Sequence, residues 1–129
     1  MLKLVLTVGA GRRMDGSYIS DITRSGYRAA IRAALLDAFD GYSEQDLQGA
    51  WRDSDGRVVS EVSVQWTILV QGSEPGRVTL ADRLRALASA RACARRACDV
   101  FCQSCVLLET GSEVNAEFVT AQPEPGWFQ

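Results

Sequence analysis

Apolar and polar positions alternate over residues 2–9, LKLVLTVG, a stretch rich in β-formers, and this period predicts a strand. The glycine-rich AGRRMDGSY follows as a loop. Over residues 21–39 the period changes. Tyr27, Ile31, Ala34, Leu35 and Ala38 recur at helical spacing, with Ser20 placed as N-cap and Asp21 favourable to the helix dipole. Arg24, Arg28 and Arg32 form a separate stripe four residues apart, and Gly41 is expected to close the helix in a left-handed conformation.

From Val58 the period returns to two. Val58, Ser60, Val62, Val64, Trp66, Ile68 and Val70 share one face, and Val59, Glu61, Ser63, Gln65, Thr67 and Leu69 share the other. One mainly apolar and one mainly polar face mark a strand of an antiparallel sheet covered on one side, with Val62, Val64, Trp66 and Ile68 expected to face the helices. Asp55-Gly56 is a strong hairpin signal, so residues 46–53 read as the preceding strand and Ser54-Asp55-Gly56 as the turn. A calcium loop does not fit, because DSDG lacks the third acid before the glycine and the distal glutamate. Thr79 and Asp82 resemble a capping box, and Leu80, Leu84, Leu87, Ala90, Ala94, Ala97 and Phe101 carry one face of a second helix to about residue 102. Residues 104–121 supply a last strand, or a second hairpin about Thr110-Gly111. The resulting order is β-α-β-β-α-β. Its commonest packing is a ferredoxin-like α+β sandwich, an antiparallel sheet with both helices on one face. A single domain over residues 1–120 and an irregular tail at 121–129 complete the expectation.

Composition narrows the function. A chain of 129 residues fits one domain and buries enough surface to fold without metal or disulfide. A net charge of −2 argues against non-specific nucleic-acid binding. No run of 18 apolar residues offers a membrane span, and the start lacks a convincing cleavage site, so a cytoplasmic protein is expected. Lys3 is the one lysine among 14 basic residues, which leaves arginine, the side chain suited to planar anion recognition, or else a codon bias.

The candidate chemistry is sparse. There is no histidine, which removes the commonest general base and metal ligand and points to a non-catalytic protein. Cys93, Cys98, Cys102 and Cys105 do not have the tight paired spacing of a zinc site and read as apolar packing residues, so neither metal nor cofactor is expected. GAGRRMDG has free backbone amides beside Arg12 and Arg13, followed by Tyr18, and could hold an anion or be a solvated loop. Trp51, with Arg52 and Arg57 nearby, could stack on a base while the guanidiniums meet phosphates. It could equally be a cross-strand aromatic covering the hairpin or an interface anchor.

Gly41, Tyr42, Ser43, Gly49, Trp51, Gly56, Glu61, Gln103 and Val106 form a pattern that resembles a family of uncharacterised small proteins of phages and bacteria, over roughly residues 1–120. That resemblance implies the ferredoxin-like fold and no assigned activity. Size and element order are also similar to those of a phage anti-defence family that sequesters nucleotide-derived immune signals, although no binding motif matches residue by residue. The leading expectation is therefore a non-catalytic phage-type homo-oligomer. It would bind and sequester an anionic, nucleotide-like molecule through Arg12, Arg13, Tyr18, Trp51, Arg52 and Arg57. An adaptor or inhibitor of a host protein is the alternative, and an enzyme that works without histidine is a third class.

Overall fold

The computed structural model describes residues 1–111 and 115–120; the expected irregular tail at 121–129 lies outside the described residues. In chain order the elements are β1 (Leu2–Gly9), α1 (Asp21–Ala38), β2 (Ser43–Arg52), β3 (Val58–Val70), α2 (Leu80–Phe101), β4 (Cys105–Thr110) and β5 (Asn115–Thr120). The strands form one antiparallel sheet in the order β2-β3-β1-β4-β5, with the two helices packed on one another over its apolar face. This is the α+β, ferredoxin-like arrangement. The open question at the C-terminal end resolves as a hairpin, β4 pairing with β5 from Cys105↔Thr120 to Thr110↔Asn115.

Alternation decides which side chains meet. Leu2, Leu4, Leu6 and Val8 of β1 point into the core beside Val64, Trp66 and Ile68 of β3 and Val106 and Leu108 of β4. Ile31 and Leu35 of α1 and Ala90, Ala94, Ala97 and Phe101 of α2 close the core from the helix side. Small residues on α2 let that helix lie close to the sheet. Cys93 and Cys98 pack in the same core, the Cys98 thiol donating to the Val119 carbonyl at 3.2 Å.

Two helix expectations need correction. Gly41 does not close α1 in a left-handed conformation: the helix ends at Phe39, which leaves in extended backbone while its amide still bonds the Leu35 carbonyl at 2.7 Å. The apolar face of α2 is also rotated from the expected one, because Leu80 and Leu84 are 71% and 59% exposed. The capping box explains the rotation. Asp82 is turned inward, where it accepts from the amides of Thr79 and Ser73 and from the Ser73 hydroxyl, all at 3.0 Å. Residues two positions away on either side then face outward.

The arginine stripe of α1 also has a structural use. Glu44 on β2 accepts from the indole of buried Trp66 at 2.6 Å and from Arg32 at 2.8 Å, while Arg28 reaches Asp46 at 2.5 Å. These contacts fix α1 over the β2 side of the sheet. No helix among the described residues lies on the opposite sheet face. Among the described residues, no helix is long and apolar enough to cross a membrane.

Candidate functional site

β3 is longer than β1, and this mismatch makes a large cleft. Pairing with β1 stops at Gly9↔Ser63, whereas pairing with β2 continues to Arg52↔Val58. The β2–β3 hairpin therefore projects past the end of β1. Val62, expected to face the helices, is only half-buried there, and Val58 is exposed. Between the projecting strand and the loop that follows β1 lies a cleft of about 910 Å³, with Gln103 also on its lining.

The loop wall is held by many contacts. The Ala10 amide extends the ladder to the Val62 carbonyl at 2.8 Å, and Ile19 returns to Gly11 at 2.9 Å. Gly16, at φ 87°, makes the tight turn between them. Asp15 accepts from both the amide and the hydroxyl of Ser17, which holds its carboxyl below the usual carboxylate range. The Met14 amide bonds the Cys102 carbonyl at 2.8 Å, and the Gln103 side chain donates to the Arg12 carbonyl at 2.5 Å, so the loop is tied to the end of α2.

The guanidiniums divide into two kinds. Arg13 donates to the Tyr27 hydroxyl at 3.0 Å and the Tyr18 carbonyl at 2.9 Å, and the tyrosine contact raises its pKa further. Arg24 bonds the carbonyls of Ala10 at 2.8 Å and Ile19 at 3.1 Å and pairs with Asp21 at 2.9 Å. Both brace the loop. Arg12 instead lies 4.3 Å over the Tyr18 ring and bonds its hydroxyl, forming a flat cationic-aromatic platform on the cleft wall.

Of the residues expected to bind a ligand, Arg12, Arg13, Tyr18 and Trp51 line this one cleft. Trp51 is 52% exposed on the hairpin side. Arg52 and Arg57 stand at the hairpin tip away from the cleft wall. Arg52 donates to the Gly56 carbonyl at 3.1 Å, and the Arg57 amide is held by Asp53 in the turn. Among the polar side chains of the cleft that are absent from the expected site are Glu61 and Gln103. Both belong to the nine-residue pattern quoted above, which was the available signal. Among the described residues Glu61 is the one acid on the wall, and none of them donates a hydrogen bond to it. Among the described residues no group of three His, Cys, Asp or Glu side chains is placed to hold a metal.

No family model and no curated protein matches the chain. Among solved structures, the chain is similar to a phage SAM lyase in complex with S-methyl-5'-thioadenosine. The TM-score is 0.57 at 19% identity, covering 91% of this chain and 88% of that one. A phage SAM lyase in the apo state gives a TM-score of 0.56 at 21% identity over 95% of this chain and 90% of that one. At these identities the likeness establishes the shared fold. It also overturns the expectation of a non-catalytic sequestering protein, since both neighbours that share the fold over nearly the whole chain are enzymes.

Proposed function

We propose that the protein is a phage-type enzyme that cleaves S-adenosylmethionine (SAM) to S-methyl-5'-thioadenosine and a four-carbon amino-acid fragment. The observation that carries this reading is the cleft, which joins one free carboxylate, an arginine-tyrosine platform and an exposed indole in a fold shared with SAM lyases. The aromatic faces of Tyr18 and Trp51 suit an adenine ring. Glu61 suits the cationic amino-acid end.

The chemistry accounts for a site without histidine. The substrate's own carboxylate oxygen attacks its γ carbon and forms a C–O bond as the C–S bond breaks. The electron pair leaves on sulfur, giving a neutral thioether and a five-membered lactone. Water is not consumed and no base has to take a proton. The nucleophile is already tethered, an arrangement worth a large effective molarity. Both reacting charges disappear in this step, so a cleft partly shielded from water favours it, and Val58, Val62 and Trp51 supply apolar walls.

Loss of a methyl donor would serve the expected anti-defence role by depletion. The helix-free sheet face supports assembly of several copies, because Val5, Leu47, Val59 and Leu107 on it are half-buried and Leu69 is exposed. The direct test is incubation with SAM in ¹⁸O-labelled water, with products read by mass spectrometry. One S-methyl-5'-thioadenosine should form per SAM lost, with an early four-carbon product free of ¹⁸O. Glu61→Gln should slow the reaction by about tenfold or more, since a charge-assisted contact is weakened. No thioadenosine product at high protein concentration overturns the reading.

A further inference from the structure

Two side chains that line the cleft, Glu61 of β3 and Gln103 after α2, converge on Gly9 at the end of β1. A methyl group at Gly9 would stand 2.3 Å from Glu61 Oε1 and 3.1 Å from Gln103 Oε1. Glu61 therefore lies in the space left by the missing side chain of Gly9. The orientation of Gln103 is fixed independently. Its Nε2 faces the carbonyls of Arg12 at 2.5 Å and Phe101 at 3.1 Å, which only accept hydrogen bonds, so Oε1 must turn toward Gly9. The left-handed Cys102, at φ 52°, turns the chain so that Gln103 points back over the sheet. Two acceptors thus converge on one spot, and no described residue donates to Glu61 there.

We propose that Gly9 and Gln103 are positioning residues that make Glu61 one half of a two-acceptor seat for the ammonium group of the substrate's amino-acid end. The inference rests on the SAM-cleaving reading, because that substrate brings an ammonium donor and an adenosine on one molecule. An ammonium presents three N–H donors and can satisfy both oxygens at once. It keeps its charge throughout C–S cleavage, so the seat holds one end of the substrate while the other end reacts. Gly9 has no need of glycine's conformational range, since its φ is not positive. What its identity provides is room.

Calorimetry with two probes tests this. S-Adenosylhomocysteine carries the ammonium, and S-methyl-5'-thioadenosine lacks it. Gly9→Ala should fold and melt within a few degrees of the parent, because the group it displaces is the end of a flexible side chain. It should weaken S-adenosylhomocysteine about tenfold or more and leave S-methyl-5'-thioadenosine within about twofold. In a Glu61→Gln background, Gly9→Ala should add nothing further, as expected for two changes acting on one contact. Gly26→Ala, where open space surrounds the site, should leave both affinities unchanged. The ¹³C resonance of the Glu61 carboxyl, assigned through Glu61→Gln, should move in Gly9→Ala. Equal weakening of both ligands, weakening of neither, or an unmoved resonance each overturns the proposal. If the parent binds neither ligand, the SAM reading fails separately, and the carboxyl resonance alone judges the positioning.

Discussion

Asp82 shows how one side chain sets the attitude of a helix. Its oxygens accept from two backbone amides and a hydroxyl, and Arg85 adds a 2.7 Å ion pair from the exposed side. These contacts, the Thr79 amide foremost, hold its carboxyl well below the usual carboxylate range. A carboxyl whose folded pKa is depressed contributes stability at pH values above its unfolded pKa and loses it as pH falls through the folded value. Asp82→Asn should therefore lower the melting temperature at neutral pH. Its deficit relative to the parent should shrink as pH falls below the ordinary carboxylate range. Melts of both proteins across an acid series read this directly, and a deficit independent of pH would contradict it. Sequence alone identified the Thr79–Asp82 pair, because a capping box is local. The inward turn of Asp82 needed Ser73, which arrives through tertiary structure.

At the scale of elements, the β2–β3 hairpin divides its conspicuous residues between two uses. Asp53 accepts from the amides of Asp55 and Arg57, and Gly56, at φ 78°, completes the turn, so the tip is built locally. Trp51 is earlier on the strand, where it reaches the cleft wall. Trp51→Ala should weaken S-methyl-5'-thioadenosine by about 1 kcal/mol or more, through loss of a stacking face. Arg52→Ala and Arg57→Ala should leave that affinity unchanged and shift stability by no more than about 0.5 kcal/mol. Calorimetry and thermal melts of the three variants check this, and an affinity loss in either arginine variant would place the tip in the site. The hairpin was legible because Asp-Gly with flanking alternation is a short-range signal. The separation of Trp51 from its neighbouring arginines was not, because it depends on where the loop after β1 comes to lie.

For the molecule as a whole, one sheet face is covered by helices and the other is left uncovered by the described residues. Polar contacts occupy part of it, with Gln45 bonded to Gln65 at 2.8 Å and Gln65 to Thr7 at 3.2 Å. Val5, Leu47, Val59, Leu69 and Leu107 leave an apolar remainder. Native mass spectrometry and sedimentation should find more than one copy per particle, with Leu69→Lys shifting the population toward monomer at equal fold stability. A monodisperse monomer at micromolar concentration would remove assembly from the proposed function.

The sequence by itself determined the elements through α2, their order, the sandwich and the β2–β3 hairpin, because hydrophobic period, caps and turn glycines act over a few residues. It left the C-terminal end open between one strand and a hairpin, which the pairing of β4 with β5 decided. It also named Arg12, Arg13, Tyr18 and Trp51, four residues of one cleft. Tertiary structure alone decided that Arg13 and Arg24 brace the loop while Arg12 stacks on Tyr18, since hydrogen-bond partners many positions away settle that division. It alone brought Gly9, Glu61 and Gln103 together, residues from β1, β3 and the end of α2 that no local pattern joins. The missing histidine misled for a related reason. Composition reports which bases a chain lacks, but the geometry of a cleft decides whether a substrate could supply its own nucleophile.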